Sequence, residues 1–428
     1  MRRTFTTALV VGVAALGLVA SACGSDDKSD GTTTTAKSTS ADRGNVDGEL
    51  KLGVMVPQTG DLSVIVKSLQ TPVDMAVKAI NDAGGVNGKP VVSVAADDGT
   101  NPNVATTSYA KLVNTDKVDA IIGPAPSGVA AKLLDSIAAD KVPTCSGSTT
   151  TADLEGGADG YFFRTAPGDD LQGPALANLI TGDGKNKVAI LARNDDYGKG
   201  FSEFLGTALE DNGAQVTATV LYNPDASNFD ADVQKALDSN PDAVVVLGFN
   251  DDGAKVVSTM IGKGAGPADM AIYTADGMQG SKFGMTVDPS DPSKVAGIRG
   301  TAPAAAPAGV KSPFTAEFAA TGIDTIFSSY YWDCTNLMAL AAVKAKSDDG
   351  SAIQKNFASN LEGDNDCNNF ADCKALLEEN KSIHYRGASS MFDKWNKMQP
   401  GTGVYDVWAY GTDGKPANVP GAAQISIG

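Results

Sequence analysis

The side chains best placed for chemistry are hydroxyls and carboxylates at the ends of short apolar runs. Ser127 lies just past Gly123, which closes the run Ala120–Ile122, and it opens a helical pattern. Ser146-Gly147-Ser148-Thr149-Thr150-Thr151 directly follows a run ending at Cys145. Hydroxyls and free backbone N–H groups at a helix start suit an anion such as a carboxylate. The plainer reading is that these residues cap their own helices. Asp276-Gly277 follows the run Ala271–Tyr273 and offers the opposite charge. An anion site on one side and a carboxylate on the other suit a zwitterion. The acidic pairs Asp97-Asp98, Asp195-Asp196 and Asp251-Asp252 also follow apolar runs, and read first as caps and turns.

Other chemistries fail on residue type or spacing. A single histidine, His384, nearly excludes a Ser-His-Asp or Cys-His arrangement and any multi-histidine metal site. Asp364-Asn365-Asp366-Cys367-Asn368 opens like a calcium loop, but Asn369 and Ala375 stand where Gly and Glu are required. Gly262-Lys263-Gly264-Ala265-Gly266 follows a helix instead of a strand, so a dinucleotide fingerprint is unsupported. The chain has 34 basic and 51 acidic residues, a net charge of −17, which argues against nucleic acid or an anionic membrane surface as partner. No cofactor and no metal are expected. An exported enzyme using Asp276 or Asp196 as a general base stays open, although no nucleophile accompanies either.

The elements that must position these residues alternate along the chain. With 428 residues, two or three domains are expected, and 42% apolar residues supply sizeable cores. Leu50–Val56 reads as a strand, and Val73, Ala76, Val77 and Ile80 share one face of a helix that ends at Gly84-Gly85. Strands at Val91–Ala95, Ala120–Ile122 and Val142–Cys145 follow, with helices near 104–113 and 127–139 between them. A second series places strands at Val188–Leu191, Gln215–Leu221, Ala243–Leu247 and Ala271–Tyr273, with helices at 200–212, 229–237 and 253–261. This alternation is the signature of βαβ units and parallel sheets. Val118–Gly123 and Pro241–Gly248 echo one another, so two similar doubly wound Rossmann-like α/β lobes are the economical reading. Beyond Gly297 come an Ala/Pro run, a long helical stretch over 330–346 and a strand near 403–410. Chain returning to an earlier lobe explains that third block.

The N-terminus reads as an export signal. Arg2 and Arg3 precede the apolar run Ala8–Ala20, which is too short for a comfortable membrane span of about 20 residues. Ser21-Ala22-Cys23 resembles a lipobox, so residues 1–22 form the expected signal peptide and Cys23 the lipidation site. Ordinary secretion with cleavage nearby is the alternative. Residues 23–47 are too polar to pack and are expected to be a tether. The protein is then exported and held by lipid on the outer face of the cytoplasmic membrane. Of the remaining cysteines, Cys367 and Cys373 form the natural local pair, while Cys145 and Cys334 either pair or stay as buried thiols.

Several segments resemble one family in their order. Leu50–Pro57 with Gln58-Thr59-Gly60, Ile80–Gly88, Ile121-Ile122-Gly123-Pro124, Phe163-Arg164-Thr165 and Asp196-Tyr197-Gly198-Lys199-Gly200 are similar to the branched-chain amino-acid type of ABC-transporter substrate-binding proteins. The resemblance implies the type I periplasmic binding fold, with two lobes joined by a three-segment hinge. One lobe would comprise 48–167 plus about 300–391, the other about 168–299 plus 392–428. It also implies a monomer that captures a small amino acid and delivers it to an ABC permease. Ser127, Ser148, Thr149 and Thr150 would bind the ligand carboxylate and Asp276 its ammonium, while Tyr197, Phe249 and Ile65 would line the pocket. Ile65 stands where many relatives place an aromatic ring, and Gly147 replaces a frequent proline. The same fold also serves amides, urea and aromatic acids, and sensing proteins that present a closed state to a receptor.

Overall fold

The computed structural model describes residues 46–428. The expected signal peptide, Cys23 and nearly all of the expected tether lie outside them. Five parallel strands build the first sheet: β1 (Lys51–Val56), β2 (Val92–Asp97), β3 (Ala120–Ile122), β4 (Thr144–Ser146) and β5 (Phe162–Arg164), in the order β2-β1-β3-β4-β5. Helices α1 (Val66–Asp82), α2 (Pro102–Lys111) and α3 (Ser127–Asp140) connect them. In α1 the buried residues Leu69, Val73, Ala76 and Ile80 recur at helical spacing, so the helix lays one apolar stripe on the sheet.

Helix α4 (Asp169–Gly182) leads into the second sheet, which repeats the plan. Strands β6 (Lys187–Arg193), β7 (Gln215–Tyr222), β8 (Ala243–Leu247), β9 (Ala271–Thr274) and β10 (Arg299–Pro303) run parallel in the order β7-β6-β8-β9-β10. Between them lie α5 (Asp196–Asp211), α6 (Asp230–Leu237), α7 (Asn250–Gly262) and the short α8 (Phe283–Val287). The fully buried β8, Ala-Val-Val-Val-Leu, is the continuous apolar run expected of a strand covered on both faces.

The third block returns to the first sheet. It comprises α9 (Pro313–Ala319), α10 (Ser328–Ala345), α11 (Gly350–Phe357), β11 (Asn365–Cys367), α12 (Phe370–Glu378) and β12 (Ile383–Tyr385). Every residue of α10 from Ser328 to Val343 is buried, and the helix packs on α1, α11, α12, β3 and β4. A helix buried on all sides belongs inside a core. The hairpin β13 (Trp395–Asn396) and β14 (Gln399–Pro400) sits beside β5, where the Arg164 N–H donates to the Met398 carbonyl. The chain then crosses back as β15 (Gly403–Tyr410), antiparallel to β10, with β16 (Pro416–Asn418) and β17 (Ile425–Ile427) paired to β15.

Two returns differ from the sequence expectation. β10 belongs to the second sheet, so the chain leaves that sheet after Pro303 instead of near 300. The hairpin at 395–400 packs by the first sheet, so the final return falls near 401 instead of 392. Three crossings between the sheets remain, and the α/β two-lobe class stands. The calcium-like segment is part of β11, paired with β12. Cys145 is bonded to Cys334 and Cys367 to Cys373, with Cα atoms 5.6 and 5.3 Å apart, inside the usual disulfide range. Among the described residues no helix is long and apolar enough to cross a membrane.

Candidate functional site

Both sheets share one strand order, and each reverses direction at a single point, between β1 and β3 in the first and between β6 and β8 in the second. Ligands of open α/β sheets bind beyond the carboxyl ends of strands at such points. Here the loops after β1, β3, β6 and β8 meet around one cavity: Leu62 and Ile65, then Ala125 to Ser127, then Tyr197, then Phe249. The cavity is tightly enclosed, leaving about 20 Å³ for the centre of a water molecule, above the roughly 10–15 Å³ that one water needs. A far larger hollow of about 570 Å³ opens beside the Cys367–Cys373 loop. Among its lining residues Arg386 pairs with Asp366 and Lys381 with Glu379, and no buried polar group is lodged there to orient a ligand.

The first-lobe wall is held by a chain of hydrogen bonds. Gly123 has φ +113°, and a Cβ there would stand 1.9 Å from the Met55 carbonyl oxygen, so only glycine fits. Asp98, buried at the end of β2, accepts from the Ala125 N–H at 3.0 Å and the Thr100 N–H at 2.9 Å. Burial raises its pKa to about 7, against those two donors. The Ser146 hydroxyl donates to the Pro124 carbonyl and accepts from the Ser148 and Thr149 N–H groups. Ser127 Oγ accepts from the N–H groups of Thr150 and Thr151, both at 3.3 Å, which leaves its own hydrogen to point elsewhere. Ser148 Oγ donates to the Ala125 carbonyl and sits 3.0 Å from the Tyr331 hydroxyl, which must then donate to it.

Ser127, Ser148 and Thr150 all line the cavity. Thr149 is not among the lining residues. The chain bends after Ser146, whose hydroxyl takes the Thr149 N–H, and Thr149 is fully buried. Gly147 has a local cause: a Cβ there would come 2.6 Å from the Tyr331 ring, so no larger residue, proline included, fits without displacing α10.

The second-lobe wall carries the charge. Asp276 opens a single helical turn after β9, with its side chain facing the cavity. Burial raises its pKa to about 6, while hydrogen bonds from Gln172 and Tyr197 pull the other way. The Tyr197 hydroxyl donates to Asp276 Oδ1 at 3.4 Å. Tyr197 begins α5, which Asp195 caps by accepting from the Gly198 N–H at 3.0 Å, and its ring stacks on Phe249 at 5.3 Å. Asp169 of α4 is also fully buried; burial first, then the negative charge of Asp276, hold its pKa well above the carboxylate range. Asp276 therefore faces the hydroxyl loop across the cavity, while Asp169 adjoins that loop, its N–H donating to the Thr150 carbonyl at 2.7 Å. Leu62, Ile65, Phe249 and Phe327 close the remaining sides with apolar surface.

Ile65, Tyr197, Phe249 and Asp276 thus join the three hydroxyl residues around one space, as the sequence reading expected. That reading missed Leu62, Phe327 and the supporting Asp98, Asp169, Gln172 and Tyr331. Asp98 had a signal, being half of an acidic pair at a strand end, but a cap was the simpler explanation. The caps do hold elsewhere: Asp97 accepts from the Gln58, Thr59 and Gly99 N–H groups, and Asp252 from that of Phe249.

A family model for periplasmic binding proteins matches residues 49–375. The chain belongs to that family. Its members are extracytoplasmic proteins that bind small molecules, and neither the family nor the fold is that of an enzyme. Among curated relatives, this periplasmic binding protein is 27% identical to the chemotactic signal transduction system substrate-binding protein BasB of Halobacterium salinarum, over 82% of this chain and 85% of that one. It is 24% identical to a Leu/Ile/Val-binding protein homolog of Brucella suis, over 87% of this chain and 94% of the relative. Among solved structures, the leucine binding protein LivK of Thermotoga maritima superposes with a TM-score of 0.72 at 20% identity, covering 88% of this chain and 98% of that one.

Proposed function

We propose that this protein captures a small amino acid, branched-chain or related, between its lobes and delivers it to an ABC permease. The observation that carries this reading is the pairing of opposites across one enclosed cavity. Ser127, whose hydroxyl hydrogen is left free by its two backbone donors, faces the cavity beside Ser148 and Thr150 as the carboxylate side, and the buried Asp276 offers a negative charge to an ammonium. The apolar walls at Leu62, Ile65, Phe249 and Phe327 suit an aliphatic side chain. The Leu/Ile/Val-binding relative agrees with that class. In this reading only the closed cleft satisfies both ends of a zwitterion, so ligand shifts the lobes toward closure and the permease receives the closed form. Residues 1–22 direct export, Cys23 carries the lipid, residues 23–47 tether a monomeric body, and the lobes divide near the crossings described above.

Calorimetry on protein unfolded and refolded to strip carried-over ligand tests the proposal. Leucine, isoleucine or valine should bind, and Asp276→Ala should weaken that binding at least roughly 30-fold, since truncating one partner of a buried charge pair costs about 2–5 kcal/mol. Circular dichroism should stay native. Unchanged affinity removes Asp276 from the site, and tight binding of an amide or aromatic acid instead overturns the zwitterion assignment. The similarity to BasB favours one second reading, that the closed form is presented to a chemotaxis receptor. A pull-down of permease against receptor, with and without amino acid, separates the two.

A further inference from the structure

Arg193, the last residue of β6, is a buried guanidinium outside the set of ligand-facing groups. Its Nε lies 2.6 Å from Asp195 Oδ2, and its Nη1 lies 2.8 Å from Asp252 Oδ1, which also accepts from the Phe249 N–H. Tyr222 donates its hydroxyl to the other oxygen of Asp252. The guanidinium carbon sits 3.7 Å above the centre of the Phe249 ring. All of these partners belong to the second lobe, so they travel with Arg193 whatever the lobes do.

One partner comes from the other lobe. Asp61 Oδ2 lies 3.9 Å from Arg193 Nη1. Asp61 opens the single turn Asp61–Ile65 that carries Leu62 and Ile65 to the cavity. It stands at the mouth of the cleft with its side chain 36% exposed, while that of Arg193 is 7% exposed. Lys255 also attracts Asp61, and Asp251 and Asp225 repel it.

We propose that Asp61 and Arg193 form a clamp across the cleft mouth, acting as positioning residues that bias the protein toward its closed form. The clamp rests on reading this cleft as the binding site, but not on which ligand fills it. Its contacts run inward without a break: Asp61 to Arg193, Arg193 onto Phe249, Phe249 onto Tyr197, and the Tyr197 hydroxyl to Asp276. Closure at the mouth and the orientation of the pocket aromatics are therefore one mechanical event. The bias must be small. Opening returns Asp61 to water and leaves Arg193 with two carboxylates, so the pair behaves as a screened surface ion pair, worth about two- to fivefold in the closed fraction.

Spin labels on Lys132→Cys and Glu203→Cys, exposed positions on α3 and α5, would report the lobe separation in the full chain by electron–electron distance measurement. The distances are taken without ligand and with a saturating mixture of leucine, isoleucine and valine. Asp61→Asn should lower the short-distance population about two- to fivefold, and Asp61→Glu should restore part of it. Raising NaCl from about 0.01 to about 1 M shortens the screening length from about 30 to about 3 Å, and should shrink the closed population of the wild type but not of Asp61→Asn. Equal populations and equal salt response in the two proteins overturn the clamp. So does a wild-type chain with no short-distance population in any condition. If the amino acids leave the wild-type distances unchanged, the amino-acid reading fails, while the unliganded comparison still decides the clamp.

Discussion

At the scale of residues, the decisive feature is a carboxylate held where it is poorly solvated. Asp276 has a pKa of about 6 against the usual 3.8, so the empty fold keeps it neutral up to about pH 6 and ionised above that. That contribution to stability is complete below about pH 3.8 and is lost as pH rises through about 6, a difference of about 3 kcal/mol. Binding an ammonium has the opposite sign, because it requires the ionised acid. Amino-acid affinity should therefore be flat above pH 7 and weaken by up to about tenfold per unit below pH 6, with proton release that calorimetry in two buffers would detect. A flat affinity down to pH 4.5 would show that Asp276 does not meet the ammonium. Ser127, Ser148 and Asp276 were legible in the sequence because small polar residues at strand ends stand out against apolar runs. Phe327 and Tyr331 were not, since an aromatic residue entering a cavity from a distant segment looks the same as one entering a core. For Thr149 a run of hydroxyls does not reveal which of them the bend after Ser146 buries.

At the scale of elements, α10 does the most to hold the site. Its Asp333, fully buried, accepts from the Tyr385 hydroxyl, the Ala388 N–H and both the N–H and hydroxyl of Ser389, tying the helix to the strand at 383–385 and the loop beyond it. Asp333→Ala leaves those donors buried and unpaired, and should cost about 2–5 kcal/mol in urea unfolding, at about 1–3 kcal/mol per stranded group without additivity. A loss below about 1 kcal/mol would mean that water reaches the gap. Apart from β5 and β10, the strands of both parallel series were readable from their apolar runs, and β3 and β8 were placed to the residue. β10 was not, because Gly300 and Pro303 argue against a strand; Pro303 is tolerated where it pairs with Tyr405 of an antiparallel neighbour. Helix α4 hid for a similar reason. Its Gly173 and Pro174 are poor helix formers, yet a Cβ at Gly173 would come 2.9 Å from the Leu205 backbone nitrogen, so α4 and α5 can approach only with glycine there. Packing overrides propensity in both elements.

At the scale of the whole molecule, the two sheets repeat one strand order, and their reversal points meet at the cavity. The repeat was faintly legible in Val118–Gly123 against Pro241–Gly248, but the crossings were not, because a crossing is only a loop until its partners are known. Ligand at about 100 times its dissociation constant should stabilise the fold by about 2.7 kcal/mol and reduce the radius of gyration in X-ray scattering. Stabilisation without compaction would place the ligand on one lobe alone. The bond between Cys145 and Cys334 has a further consequence for how the molecule comes into being. The two cysteines are 189 residues apart, and Cys145 immediately precedes the hydroxyl loop. In an exported chain both pairs stay reduced in the cytoplasm and close only outside it. There Cys367 and Cys373, only six residues apart, meet almost at once, while Cys145 must wait for α10 to pack on the first sheet. The wall that would hold the ligand carboxylate is made in the first half of the chain and is among the last parts to be fixed in place.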